Sequence, residues 1–373
     1  MNYLQDLFSN LYILGFFAIS IPLLISLRMF LIIIYSVRLK NLMDDPVDRS
    51  VHERKTPTMG GVGIFITFSI ALLVWGMVAP LLKEDLIRLL SIIVACIMLL
   101  FLGIKDDLIG FSPIKKLIVQ ACAAFIVVGI TDLRITNLDG LFGVFEIPYA
   151  ISVALTIFIF TFLINSYNLI DGIDGLAGSI ALISCISFGA VFCLNQNHLL
   201  ILVTLTLIGS LLGFLRFNMS KKHRIFMGDS GTMFIGFLLP YFAFSFLMVN
   251  GQENHVAVLS NGIIFALAVL SFPILDTLRV FIIRISNGKS PFMADKNHIH
   301  HRLLSLGLGH RQASFWIAVT NCFVIVIALS ISALNINLQF LIITFLIPLV
   351  YLIPFIVVRE EGKIKIAKLK ESK

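Results

Sequence analysis

Residues Asn165–Gly178 read NSYNLIDGIDGLAG, and they follow the uncharged run IPYAISVALTIFIFTFLI at 147–164. Asn165, Asn168, Asp171 and Asp174 fall three residues apart. On an α-helix that spacing drifts by about 60° per step and on a 3₁₀ turn it aligns, so the four are expected to line one side of a helix end. Gly172, Gly175 and Gly178 let the backbone turn and let a ligand approach closely. An aspartate at the centre of a membrane helix costs about 2.5–3.5 kcal/mol on insertion scales, so two of them need a reason. Helix capping at a membrane boundary accounts for one Asp and not for the series. The stretch therefore reads as a lipid-spanning helix that ends in a polar, chemically active turn.

Working outward, the chain of 373 residues is 58% hydrophobic and 13% charged, with a mean hydropathy of +1.00. Soluble domains keep about a quarter of their residues charged, so this balance places the chain in the membrane class. Apolar runs long enough to cross about 30 Å of hydrocarbon are expected at about 11–37, 61–80, 86–104, 114–131, 149–167, 176–194, 199–215, 231–249, 257–282, 313–333 and 337–358. The first run is too long for a signal-peptide core and is followed by no small-residue cleavage site, so it reads as a retained helix. The five cysteines (Cys96, Cys122, Cys185, Cys193, Cys322) lie inside apolar runs and form no C-x-x-C pair, which argues against a disulfide framework or a zinc site. The expectation is an all-α polytopic membrane protein of about 11 helices, with one transmembrane domain at 1–358 and a basic tail at 359–373.

Lysine and arginine orient it. All but Arg28, Lys83, Arg88 and Arg134 of the 28 basic residues fall in the loops at 38–60, 104–116, 216–228 and 279–312 or in the tail. The positive-inside rule then puts the N-terminus outside and the C-terminus in the cytoplasm. It also accounts for the net charge of +7 without a nucleic-acid partner, since no recognition fold or stacking platform is visible. The outer loops carry little chemistry; one has an Asn137-Leu138-Asp139-Gly140 turn fit for a small hairpin. Five inner loops hold the remaining polar motifs and must meet on one face of the bundle.

In KDDLIGFSPIKK, Asp106 and Asp107 end one span, and Ser112-Pro113 open the next with Lys116 about one turn in. Adjacent carboxylates repel unless a cation or a proton lies between them, so the pair predicts Mg²⁺ or a raised pKa. In RIFMGDSGTMFIGF, Asp229 opens a helix where it can cap or hold a cation, and free N–H groups beside it favour a phosphate. ADKNHIHHRLLSLGLGHR gathers His298, His300, His301 and Arg302, which can donate to a diphosphate; no cysteine or carboxylate trio accompanies them to make a zinc site. Asp276 and Arg279, at i and i+3, read as a buried structural pair. HERKTPTMGGVGIF adds Lys55, Thr56 and Thr58 as donors and glycines that open backbone N–H groups.

The inventory is carboxylates, asparagines and cationic donors on one side of a membrane. It has neither a serine or cysteine nucleophile beside a base nor a G-x-x-x-x-G-K-[ST] loop. Carboxylates with a divalent cation, surrounded by positive donors, are what phosphoryl-type transfer needs, and the location suggests a lipid phosphate as one reactant. Two other classes fit less well. A CDP-alcohol phosphotransferase would continue D-G-I-D-G with Ala-Arg, and this chain does not. An ion-coupled transporter would place its acids near mid-bilayer in inverted halves, whereas these cluster at one surface.

The ordered set RKTPTMGG, KDDLIGFSPIKK, NSYNLIDGIDGLAG, FMGDSG and NHIHHRL, spanning about residues 44–304, resembles the polyprenyl-phosphate N-acetylhexosamine-1-phosphate transferase family. The HIHH spelling is closer to the undecaprenyl-phosphate GlcNAc-1-phosphate branch than to the phospho-MurNAc-pentapeptide branch, whose pattern is HHH. Gly110 stands where many relatives carry a third acid. The resemblance implies attack of a lipid phosphate on the β-phosphate of a UDP-N-acetylhexosamine, with undecaprenyl phosphate as acceptor and Mg²⁺ or Mn²⁺ as cofactor, in a bacterial cytoplasmic membrane. It implies Asp229, Asn168 and Asp106 as metal ligands, and Asp106 as the base that readies the lipid phosphate, with Asp107 beside it. It implies Asp171 and Asp174 for orienting nucleotide and sugar, Asn218 and Lys55 at the uridine end with Thr58 nearby, and Lys116 on the lipid phosphate. His298, His300, His301 and Arg302 would hold diphosphate and sugar.

Overall fold

A computed structural model describes residues 10–39, 43–44, 56–79, 81–251, 258–290, 297–353 and 355–356. The tail at 359–373 and Lys55 lie outside the described residues. Helices dominate: α1 (Leu11–Leu39), α2 (Gly60–Val78), α3 (Lys83–Ile109), α4 (Pro113–Thr131), α5 (Tyr149–Ile170), α6 (Leu176–Leu194), α7 (His198–Asn218) and α8 (Asp229–Asn250). After them come α9 (Gly262–Val269), α10 (Ser271–Ser286), α11 (Ile299–Ser305), α12 (His310–Ser330) and α13 (Ile336–Val350). The strands are short: β1 (Met43–Asp44) pairs with β2 (Thr56–Pro57), and β3 (Asn137–Leu141) with β4 (Val144–Glu146).

Among the described residues nine helices are long and apolar enough to cross a membrane, or ten if α9 and α10 form one bent span. Eleven runs were expected, and the difference has two causes. The ninth run breaks into α9 and α10 with a 71° bend. Pro273 has no N–H to give to the Val269 carbonyl, and buried Asn321 fills in, its Nδ2 donating to Ala268 O at 3.1 Å and Val269 O at 3.4 Å. The last run forms a helix of only 15 residues, about 22 Å at 1.5 Å per residue.

The bundle is built around α8, whose residues are nearly all buried and which packs on α3, α5 and α6. Lipid-embedded helices gain little from the hydrophobic effect and associate through close fit, which small residues permit. Gly103 on α3 lies against the Asp229–Ser230 backbone, and a Cβ on Gly61 of α2 would lie 2.6 Å from the Ser230 carbonyl carbon. These contacts bring the N-terminus of α2 and the C-terminus of α3 against the start of α8.

The hairpin expected around Asn137–Gly140 forms, but with a different turn. Phe142 and Gly143, at φ 55° and 77°, make the two-residue connection, and Asn137–Gly140 belong to β3. Two adjacent positive-φ residues suit the strand twist, and Asn337 Oδ1 accepts from the Phe142 N–H at 2.7 Å.

Candidate active site

The first amides of a helix have no partner within it. At α8, carboxylates from two other helices supply the partners. Asp107, at the end of α3, accepts from the Asp229 N–H at 2.8 Å and from the Ser230 N–H at 3.0 Å. Asp171, just past α5, accepts from the Gly228 N–H. Gly228 sits at φ 72°, and a Cβ there would lie 2.9 Å from Asp107 Oδ2, so glycine is what lets the carboxylates close in. Negative charge at a helix N-terminus is favoured by the macrodipole. This corrects the expectation that the amides around Asp229 stand free for a phosphate. Each oxygen of Asp107 thus accepts one backbone amide.

Asp229 projects from this cap. Its Oδ1 accepts from Asn168 Nδ2 at 2.9 Å, and the same amide donates to Thr232 Oγ1 at 2.9 Å. Its Oδ2 faces Lys116 Nζ at 3.5 Å, with the Asp229 side chain 32% exposed. Lys116 also pairs closely with Asp106, one helical turn before Gly110. Thr58 is partly buried, and its carbonyl oxygen lies beside Gly228. Thus α3, α4, α5 and α8 each contribute a charged or amide side chain to one point at one end of the bundle.

The four polar residues of the opening stretch do not share a side: Asn165 and Asn168 already diverge within α5, and past Ile170 the turn redirects the residues beyond it. Asn165 faces α4, donating to Gln120 Oε1 at 2.6 Å. Asn168 and Asp171 face α8. Asp174, 4% exposed, turns toward Arg224 at 3.2 Å and His310 at 3.5 Å. Asn218, expected at the uridine end, is buried with both polar ends engaged: it accepts from the Gly175 N–H at 2.6 Å and donates to Ile225 O at 2.8 Å. It ties the Asp171–Gly175 turn to the segment leading into α8.

The histidines divide as well. Asp276, fully buried on α10, accepts from the Ile299 N–H at 2.8 Å and holds His298 Nδ1 at 2.8 Å, with Arg279 at 3.9 Å. The expected Asp276–Arg279 pair is therefore a three-membered anchor for α11, and it absorbs His298. His300 is 1% exposed, and among the described residues neither ring nitrogen has a hydrogen-bond partner. Its Nε2 edge points at Gly172, where no side chain intervenes. Burial, and then the neighbouring His301, push its pKa down to about 3, so the ring is neutral and offers one N–H. The His301 ring lies 4.3 Å from it, and Arg302 is exposed. An unpartnered buried imidazole facing the Asp171 turn is a group placed for a ligand.

Asp171 is pushed up to about 7, first by burial and then by the negative charges of Asp229, Asp107 and Asp174, with the Gly228 N–H opposing. Among the described residues no three His, Cys, Asp or Glu side chains already surround one point at ligand spacing. Mg²⁺ does not require that, since it binds through one or two carboxylates with water and substrate phosphates completing the shell. The exposed oxygen of Asp229 and the crowded carboxylate of Asp171 are hard donors whose mutual repulsion a divalent cation would relieve, so the residues fit such an ion. Asn168 gives its amide hydrogens to Asp229 and Thr232, which leaves its Oδ1 as the atom that could meet a cation, and Asp106 is engaged with Lys116.

Arg224, His310, Ser314 and Thr232 were not singled out from sequence. Ser314 donates to the Asp174 carbonyl at 2.8 Å. The only signal for Arg224 and His310 was their position inside the FMGD and HIHH stretches.

The profile of glycosyl transferase family 4 matches residues 89–247. A probable undecaprenyl-phosphate N-acetylglucosaminyl 1-phosphate transferase of Bacillus subtilis (strain 168) is 35% identical over 277 residues, 73% of this chain and 72% of that one. A decaprenyl-phosphate N-acetylglucosaminephosphotransferase of Mycolicibacterium smegmatis is 31% identical, over 72% of this chain and 70% of its own. An undecaprenyl-phosphate alpha-N-acetylglucosaminyl 1-phosphate transferase of Escherichia coli (strain K12) is 27% identical, over 73% and 71%.

Proposed function

The chain belongs to the polyprenyl-phosphate N-acetylhexosamine-1-phosphate transferase family, and from that premise we propose that it moves GlcNAc-1-phosphate from UDP-GlcNAc to undecaprenyl phosphate, releasing UMP. The reaction takes place at the cytoplasmic face of a bacterial inner membrane and starts a lipid-linked surface glycan. The observation that carries the reading is the convergence of Asp106, Lys116, Asn168 and Asp229 at one end of an apolar bundle.

An oxygen of the lipid phosphate attacks the sugar-bearing phosphorus of the donor. A new P–O bond forms as the bond to the bridging oxygen breaks, and the electron pair leaves on UMP. Lys116, between Asp106 and Asp229, is placed to receive the lipid phosphate and hold it in line. Asp106 takes any proton the monoester still carries. His300 and His301 face the diphosphate from across the Asp171 turn, with neutral His300 donating its single N–H. Asp229 and Asp171 would hold a divalent cation, which when bound supplies positive charge to the phosphate oxygens. Asp107, Asn168, Asp174 and Asn218 position these groups.

Purified protein with undecaprenyl phosphate, Mg²⁺ and a panel of UDP-sugars should release UMP with an N-acetylhexosamine donor. Asp229→Asn and Asp106→Asn should each abolish that release while the detergent-solubilised protein stays monodisperse. Full activity in both variants would refute the site. Orientation has its own check: a cysteine placed at exposed Lys221 should react with an impermeant maleimide in inside-out vesicles and not in intact cells.

A further inference from the structure

A second polar feature lies away from the carboxylates, on the lipid-facing flank between α1 and α7. Helices α1 and α7 run in parallel and pack tightly, Gly209 against Ile19 and Pro22, Gly213 against Ser26, and the Phe30 and Phe217 rings at 5.7 Å. That register sets Arg28 level with Arg216. Together with Lys221 and Lys222 from the following loop, they line a cavity of about 490 Å³ whose wall on the α1 side is Leu27 and Leu31. Among the described residues no carboxylate lines it. Arg28, Arg216 and Lys221 are exposed.

Arg28 is the only charge in the apolar stretch 11–37, and a charge in such a helix needs an anionic or aqueous partner. Leu24, Arg28, Leu31 and Tyr35 recur at helical spacing, so one exposed face of α1 reads apolar, cationic, apolar, with Leu24 63% and Leu31 45% exposed. A phosphate with acyl chains matches that face: the headgroup meets the arginines while the tails lie along the leucines. Basic pockets between spanning helices on the cytoplasmic side suit such headgroups.

We infer that the α1–α7 cavity binds the phosphate of an anionic membrane phospholipid, separate from the acceptor lipid at Lys116. It carries no assigned role in the transfer reaction, and the segment that runs from Asn218 to Asp229 joins its α7 side to the site.

The test is native mass spectrometry of the intact detergent-solubilised protein with phosphatidylglycerol, phosphatidylcholine, inorganic phosphate and undecaprenyl phosphate. The wild type should retain phosphatidylglycerol at least tenfold better than phosphatidylcholine. Arg28→Gln with Arg216→Gln should abolish that preference, and Lys221→Gln, in an exposed loop where folding is not at stake, should weaken it several-fold. Three results would overturn the inference: equal retention of the two phospholipids, displacement of phosphatidylglycerol by undecaprenyl phosphate, or displacement by millimolar inorganic phosphate. The second would make the cavity the acceptor's own site and the third a free-phosphate site. Loss of UMP release by the wild type, with lipid retention intact, would leave this inference standing while the proposed reaction failed.

Discussion

Replacing Asp107 with Asn tests whether the start of α8 is held by a carboxylate from α3. The native side chain accepts two backbone N–H groups, at 2.8 and 3.0 Å, on its two oxygens. Asn keeps one acceptor and turns an NH₂ toward the other amide. One charge-assisted bond is lost, about 1.5–3 kcal/mol, and a buried donor is left unpaired, about 1–3 kcal/mol more. Loss of the charge at the helix N-terminus adds about 0.3–1 kcal/mol. Relief of repulsion with Asp229 offsets part of this, leaving a cost of about 2–4 kcal/mol. The damage falls on the amides of Asp229 and Ser230, so the Asp229 carboxylate shifts with them. A displacement near 1 Å lowers a rate by about 100-fold. UMP release should therefore fall by one to two orders of magnitude, together with a lower thermal midpoint in detergent. Asp229→Asn should instead remove activity with little change in midpoint. An Asp107→Asn protein with wild-type rate and midpoint would refute the capping argument.

The geometry sets three further outcomes. Asp171, with its pKa raised to about 7 against an unfolded value near 3.9, favours the folded state below about pH 4, and that contribution is lost as pH rises through 7. Mg²⁺ should therefore raise the thermal midpoint more at pH 8 than at pH 6, and Asp171→Asn should flatten that difference; an unchanged difference in the variant would remove Asp171 from the ion's surroundings. Gly172→Ala sets a methyl into the His300 ring, so UMP release should drop at least tenfold at a stability cost of about 1–3 kcal/mol, read by thermal denaturation. Asn321→Leu strips the amide that serves the Ala268 and Val269 carbonyls, and should lower the midpoint by the equivalent of about 2–4 kcal/mol without changing the KM for donor.

Much of the site was readable because its residues violate the apolar background: Asp106, Asn168, Asp171 and Asp229 stand out in a chain only 13% charged. Direction could not be read. Asn165 and Asp174 carry the same spacing as Asn168 and Asp171, yet one points at Gln120 and the other at Arg224. For Asp174 that depends on where α5 stops, which tertiary packing decides, and for Asn165 on which side of α5 meets α4. Asp107 and Asp106 are adjacent and chemically identical, and only the docking of α8 makes one a cap and the other an ion-pair partner. Asn218 was expected at the uridine end from the family resemblance alone, and its two backbone partners come from separate segments of the chain. The bent span escaped for a related reason: hydropathy sums over Leu270 without registering the proline three residues later.

The borrowed cap on α8 bears on biogenesis. Because the amides of Gly228, Asp229 and Ser230 are served by α3 and α5 rather than by residues of their own segment, α8 cannot settle its leading turn until both earlier spans have docked. A half-assembled bundle in the bilayer would thus hold these acids apart, and the candidate site is complete only once insertion is.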